Sequence, residues 1–191
     1  MEAKTLDRRV RRTRQLLKDG LTELLREMPF SEISARSITD RKDLNRATFY
    51  LHYKNTYDLL QDVEEDFFNR AQEMFDQQIG NLEANSIRPL FEAFLDYIID
   101  NRGVCEALLK NDSNSDFTDR AFTFIHDNGD PVLREQFPEA PEDKIEYLLS
   151  YTCFGLIGMV KRWFDNDMDL EKNDLLDLAD KLVDYNKKIL R

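Results

Sequence analysis

Between Pro29 and Gly80 the chain contains neither glycine nor proline. Strand-and-turn architectures need frequent breakers, so so long a stretch without either residue favours helices. The pattern starts earlier. Leu16, Leu17, Leu21, Leu24, Leu25 and Met28 recur at three- and four-residue spacing. They form one apolar stripe on a helix expected from Leu6 to Met28. Pro29 stops it. Gly20 sits inside this helix, at a cost of about 1 kcal/mol relative to alanine. Close approach of another helix is the simplest reason to keep it.

Helix follows helix thereafter. A short one is expected over Ala35–Lys42 with Ser34 as N-cap. A tight turn at Asp43-Leu44 leads to another over Arg46–Tyr53, capped by Asn45. Asn55 and Asp58 resemble a capping pair ahead of a long helix to Ile79, ended by Gly80-Asn81. Arg88–Asn101, with Pro89 in its first turn, Cys105–Lys110 and Asp116–His126, capped by Ser115, come next. Asn128–Pro141, with Gly129, Pro131, Pro138 and Pro141, reads as irregular. Two long helices, Glu142–Asn166 and Glu171–Leu190, close the chain. The expected fold is all-α with about nine helices. It comprises a three-helix head over residues 1–54 and a helical body over residues 55–191, which the 191-residue length allows.

Charge divides the same way. The chain as a whole carries a net charge of −11. Residues 1–54 hold 13 Lys+Arg against 8 Asp+Glu, a net +5, and residues 55–191 hold 14 against 30, a net −16. A basic head on an acidic body points to nucleic acid at one end only, since the body repels phosphate.

The head meets the physical requirements of a helix-turn-helix. Ile33, Ile38, Leu44, Phe49 and Tyr53 can anchor the second and third helices on the first. Asp43 tolerates the left-handed conformation of the turn. Arg46, Ala47 and Thr48 place small and polar side chains in the first turn of a recognition helix capped by Asn45. Tyr50, His52 and Lys54 offer donors to phosphates at its flanks. Arg8, Arg9, Arg11, Arg12 and Arg14 wrap most of the first helix near its N-terminus, where cations are disfavoured. An arginine-rich arm that meets phosphates or enters a minor groove accounts for that cost. The competing reading is a generic three-helix subdomain with solvated charges.

The stretch PFSEISARSITDRKDLNRATFYLHYKNTYDLL resembles the DNA-binding domain of the TetR family of regulators, without a gap over Arg11–Leu60. RATFYLHYKNTYDLL is its most specific part. The resemblance implies a three-helix DNA-binding head, a connecting fourth helix, and a ligand and dimerisation domain. It makes Arg46 and Thr48 groove or base-edge contacts. Ser34, Tyr50, His52 and Lys54 become phosphate contacts, and Arg36 a groove-facing residue. Where the family usually has a small residue and glycine in the turn, this chain has Lys42-Asp43, which leaves the turn geometry open. The segment YLLSYTCFGLIGMVKRWFDNDMDL also resembles the regulatory domain of a TetR subgroup.

Apolar stripes on the last two helices can fill the monomer core or pair across a two-fold axis as a four-helix bundle. The resemblance favours the interface and assigns it Leu148, Thr152, Gly155, Leu156, Met159, Trp163, Leu178, Leu182 and Tyr185. Gly155 and Gly158 would permit close helix approach. Phe68, Phe91, Phe94, Tyr97, Phe122 and His126 can line an apolar pocket or be plain core.

No enzyme site is legible. The sequence has no glycine-rich phosphate loop, no nucleophile with a base, and no Cys/His cluster with metal spacing. Neither a cofactor nor a metal is expected. Cys105 and Cys153 do not make a disulfide framework, and no segment has signal-peptide or membrane-span length. A cytoplasmic location is expected. The expected partners are double-stranded DNA at a palindromic operator, a second copy of the chain, and a small apolar effector, as for a repressor released by a small molecule. The alternative is a regulator of the same shape that activates through a protein partner without an effector of its own.

Overall fold

A computed structural model describes residues 2–79, 86–109 and 115–190. Among them are nine α-helices and no strand. The helices are α1 (Glu2–Leu25), α2 (Ala35–Arg41), α3 (Arg46–Tyr50), α4 (Thr56–Ile79), α5 (Arg88–Asp100), α6 (Arg102–Leu109), α7 (Ser115–Gln136), α8 (Glu142–Asp165) and α9 (Lys172–Lys187). Short 3-10 turns cover Phe30–Glu32 and Lys188–Leu190. The expected helix end at Gly80-Asn81 and the end of α6 at Lys110 lie outside the described residues, as does the side chain of Ser115.

The described residues cluster into two compact units. Residues 2–67 and 101–109 form the first, and residues 68–79, 86–100 and 115–190 the second.

In the first unit Leu17, Leu21, Ile38, Phe49, Leu59 and Leu60 are fully buried. Gly20 does what its position suggested. A β-carbon there would lie 3.2 Å from the Ile38 carbonyl oxygen and 3.0 Å from Lys42 Cγ, so α1 and α2 meet at the glycine. Ion pairs reinforce the contact. Arg41 grips Glu27 through two bonds of 2.7 and 2.6 Å, and Lys42 Nζ reaches Glu23 at 2.5 Å. α1 ends at Leu25, three residues short of the expected Met28, in a tight turn before Pro29.

α6 begins at Arg102 rather than Cys105, because Gly103 brings its first turn directly onto the end of α1. Cys105 is buried there, and burial pushes its thiol up to about 12. A thiol held protonated in this way is a poor nucleophile.

In the second unit Leu133, Ile145, Leu148, Leu149, Cys153 and Leu190 form one buried cluster. The expectation of an irregular segment over Asn128–Pro141 is overturned. α7 continues unbroken through Gly129 and Pro131 to Gln136. Proline in a helix removes one backbone bond and is usually costly, but tertiary packing outweighs it here. Leu133 is in the core, and Arg134 Nε holds Asp130 through two bonds of 2.8 Å one turn back. Gly129 leaves room for Leu149 Cδ1, 3.0 Å from where a β-carbon would stand. The break comes after Gln136, at Pro138, and Pro141 caps α8.

Candidate nucleic-acid interface

The recognition element is built by two caps and a turn. Ser34 opens α2 with a capping box: its hydroxyl oxygen accepts the Ser37 N–H at 3.1 Å, and Ser37 Oγ accepts the Ser34 N–H at 3.0 Å. Asp43 stands in the left-handed region at φ 51°, which solves the turn without the glycine. Leu44 N–H then donates back to the Thr39 carbonyl at 2.9 Å. Asn45 Oδ1 takes the Ala47 N–H at 2.8 Å and starts α3. α3 itself is short. It ends at Tyr50, and Leu51–His52 form a turn where helix to Tyr53 was expected. Asn55 Oδ1 accepts the Asp58 N–H and the Asp58 carboxylate accepts the Lys54 N–H, both at 2.9 Å, which confirms the capping pair that opens α4.

Phe49 and Tyr53 face inward and are buried, while Arg46, Ala47, Tyr50 and Lys54 are exposed and Thr48 and His52 half-buried. Arg46 lies over the Tyr50 ring at 5.5 Å and donates to its hydroxyl at 3.2 Å. On α1, Arg8, Arg9, Arg11 and Arg12 are all exposed. Arg36 is exposed and pairs with Asp40 at 3.4 Å. Arg41 and Lys42 are engaged by Glu27 and Glu23, while the α1 arginines, Arg36, Arg46 and Lys54 are exposed. Ser34 and Asn45 are exposed as well, with their side-chain oxygens already serving as caps.

Two features escaped sequence reasoning. Leu51 is 81% exposed between Tyr50 and His52; an exposed leucine inside a polar run carries no periodic signal. Asp62 joins Tyr53 and Arg14 in a polar cluster. Its partners are 9 and 48 residues away in sequence, beyond any local pattern.

The residues assigned to an interface between copies fall into two groups. Gly155, Leu178, Leu182 and Tyr185 are exposed, and Thr152, Leu156 and Met159 half-buried. Nothing lies within 4 Å of where a β-carbon would stand at Gly155 or Gly158. Leu148 and Trp163 are instead part of the protein's own core, 9% and 4% exposed. Leu148 packs with Leu133 and Ile145, and Trp163 Nε1 donates to the Leu170 carbonyl at 2.7 Å. The 3.6-residue period places both on the inner edge of the α8 stripe. Tyr147, Tyr151 and Phe154 are exposed on α8 in their place.

The aromatic residues read as a pocket mostly pack on one another. Phe68 meets Phe117 and Phe124 with centroids at 5.5 and 6.1 Å, Phe94 meets Phe124 at 5.6 Å, and Phe91 is buried. Phe122 lies between His126 and Phe154 at 5.6 and 4.7 Å. Of the six, Tyr97 alone lines the groove of about 340 Å³ between α4 and α5, with Arg70, Met74, Gln78, Asp96 and Asp100. Among the described residues no group of His, Cys, Asp and Glu could hold a metal, and no helix is long and apolar enough to cross a membrane.

Comparison with known proteins agrees with this architecture. A TetR family model described as "Transcriptional regulator C-terminal region" matches residues 85–185, more than half of the chain. The HTH-type transcriptional regulator YxbF of Bacillus subtilis (strain 168) is 42% identical over 59 residues. That match spans 30% of this chain and 16% of YxbF, well under two thirds of the relative. Three solved structures share the fold along nearly the whole chain. A TetR regulator from Streptococcus agalactiae 2603V superposes with a TM-score of 0.65 at 24% identity, covering 95% of this chain and 98% of its own. A TetR-family regulator from Syntrophomonas wolfei str. Goettingen gives 0.71 at 15%, covering 94% and 95%. The dihydroxyacetone kinase operon activator DhaS gives 0.66 at 15%, covering 93% and 96%. With a helix-turn-helix at one end and the matching regulatory region at the other, the chain belongs to the TetR family of transcriptional regulators.

Proposed function

We propose that this regulator is a homodimeric, sequence-specific repressor that a small molecule releases from its operator. The observation that carries the DNA reading is the exposed basic face of the head. Arg46, Ala47 and Thr48 open α3, and Tyr50, His52, Lys54, Ser34, Arg36, Asn45 and the α1 residues Arg8, Arg9, Arg11 and Arg12 are further exposed or half-buried residues of the head. Residues 1–54 would hold the DNA, and residues 55–191 would dimerise and regulate. The dimer reading is supported by apolar and aromatic side chains that the described residues leave exposed: Tyr147, Tyr151 and Phe154 on α8, and Leu178, Leu182 and Tyr185 on α9.

Two recognition helices would then read half-sites about 34 Å apart, one helical turn. A salt titration of binding to a palindromic duplex selected from random sequence should show a steep negative slope. A flat response would sink the proposal. The effector part of the proposal rests on the family resemblance; the α4–α5 groove is open and lined mainly by polar and charged side chains.

A second reading, activation through a protein partner without an effector, is supported by the name of DhaS, an operon activator with the same fold. Deleting the gene separates the two. Transcription from an operator-bearing promoter rises if the protein represses and falls if it activates.

A further inference from the structure

Tyr53 leaves the recognition element pointing inward. The residue is 4% exposed, and its hydroxyl donates to Asp62 Oδ2 on α4. Arg14 on α1 completes a triangle. Its Nη2 donates to the same carboxylate oxygen at 2.9 Å, its Nε donates to the Tyr53 hydroxyl at 3.2 Å, and its guanidinium lies 5.6 Å from the Tyr53 ring centre. Lys18 flanks the group, 3.8 Å from Asp62 Oδ1 and 2.5 Å from Asp66. Two helices and the segment after α3 meet at one carboxylate.

We infer that Asp62 is a positioning residue for DNA recognition, holding the end of the recognition element through Tyr53 and keeping Arg14 away from the phosphates.

This rests on the reading of α3 as the recognition helix. The two functions of the carboxylate separate chemically. Orientation depends on the Tyr53 O–H, because it ties the Tyr53 ring itself to α4, beyond the Asp58 carboxylate that holds the neighbouring Lys54 backbone N–H. Hydrogen bonds to a charged acceptor are the stronger kind, and a loosened anchor lets base-edge donors drift. Charge balance depends on the carboxylate. Arg14 stands on the same helix as Arg8, Arg9, Arg11 and Arg12 and is gripped by the α4 acid Asp62. Neutralising that acid leaves one more cation beside the DNA, which increases binding to any sequence. Burial first, then the Asp62 contact, holds the Tyr53 phenol above its ordinary range, so it remains a donor at physiological pH.

The test uses the full-length protein, a short duplex that the wild type recovers from a random pool, and a shuffled duplex of the same composition. Tyr53→Phe keeps the ring and the Arg14–Asp62 pair but loses the anchor. It should lower the selected-to-shuffled affinity ratio by about tenfold with an unchanged salt slope. Asp62→Asn should lower the ratio similarly, tighten binding to the shuffled duplex, and steepen the salt slope by about 0.9, one phosphate contact. Asp62→Glu, which keeps the charge, should return the slope to wild type.

A merely structural role would lower the melting temperature and leave ratio and slope alone, and that result overturns the inference. Measurements are made well below each variant's melting point. If Asp62→Asn does not fold, the ratio for Tyr53→Phe decides. Failure of the underlying reading looks different. In that case Arg46→Ala and Thr48→Ala select the same sequences as the wild type, and the inference falls with it.

Discussion

Gly103 lies against the end of α1 so closely that a β-carbon on it would stand 2.3 Å from the carbonyl oxygen of Leu25 and 2.7 Å from its carbonyl carbon. The obstacle is backbone, so a rotamer change cannot relieve it. Gly103→Ala must push α6 off α1. Overpacking of this kind costs about 1–3 kcal/mol, more than the gain in helix propensity from alanine returns. Denaturant melts should show a lower midpoint at an unchanged slope. A midpoint at or above wild type would mean that α6 does not dock as described.

Gly155 is the opposite case. It sits inside α8 with nothing within 4 Å of where a β-carbon would stand. On the chain alone, Gly155→Ala should stabilise α8 by about 1 kcal/mol through backbone entropy. If a second copy packs its helices onto this face, the added methyl meets the partner instead. The expected outcome is a weaker dimer by sedimentation, at raised or unchanged monomer stability. A variant that is more stable and dimerises as wild type removes Gly155 from the interface.

The contrast between these glycines marks how far the sequence could be read. Helix content, both caps at Ser34 and Asn45, and the approach of α2 at Gly20 were legible, because each depends on neighbours within a few turns or on a cost that needed a cause. That Asp43 tolerates a left-handed turn was legible too, but the geometry of the Lys42-Asp43 turn was open from the sequence, and the fold sets Asp43 at φ 51°. α7 was not, because the packing of Leu133 and the Arg134–Asp130 bond outweigh breakers at Gly129 and Pro131. Nor could the chain tell which edge of the α8 stripe turns inward. Leu148 and Trp163 share the helical period with exposed neighbours, and only the packing of α7 against α8 and the fold of residues 166–170 back onto Trp163 separate them. The Arg14–Tyr53–Asp62 cluster depends wholly on tertiary placement.

His126 should make stability depend on pH. Its Nε2 lies 3.2 Å from Glu146 and its Nδ1 3.3 Å from Asp127. Partial burial opposes charging of the ring, but the two carboxylates outweigh it and raise the pKa above the ordinary 6.5. A group whose pKa is higher in the folded state binds its proton more tightly there. Its contribution is therefore complete below about pH 6.5, the unfolded value, and is lost as pH rises through the folded value. The melting temperature of His126→Gln relative to wild type should be lower at mildly acidic pH, with the difference shrinking toward pH 8. Equal differences at both ends would show that the carboxylates do not hold the imidazolium.

Lys54 and Arg46 should fail in different ways. Lys54 follows the turn after α3, exposed, with its backbone N–H tied to Asp58. On the proposed reading a cation there meets a phosphate rather than a base edge. Lys54→Ala should weaken binding to every sequence about equally and flatten the salt slope by about 0.9. Arg46 and Thr48 open α3, where side chains of a helix-turn-helix reach into the major groove. Replacing either with alanine should change which sequences are selected, at a cost of about 1–3 kcal/mol on the preferred site and little on the others. Arg46 adds a condition, because it rests on the Tyr50 ring. Tyr50→Phe keeps that ring but removes the hydroxyl that accepts from Arg46. It should relax selection at the position Arg46 reads, while Tyr50→Ala relaxes it further. If Lys54, Arg46 and Thr48 variants lose the same factor on every duplex, the division into positioning and reading contacts on this face is wrong.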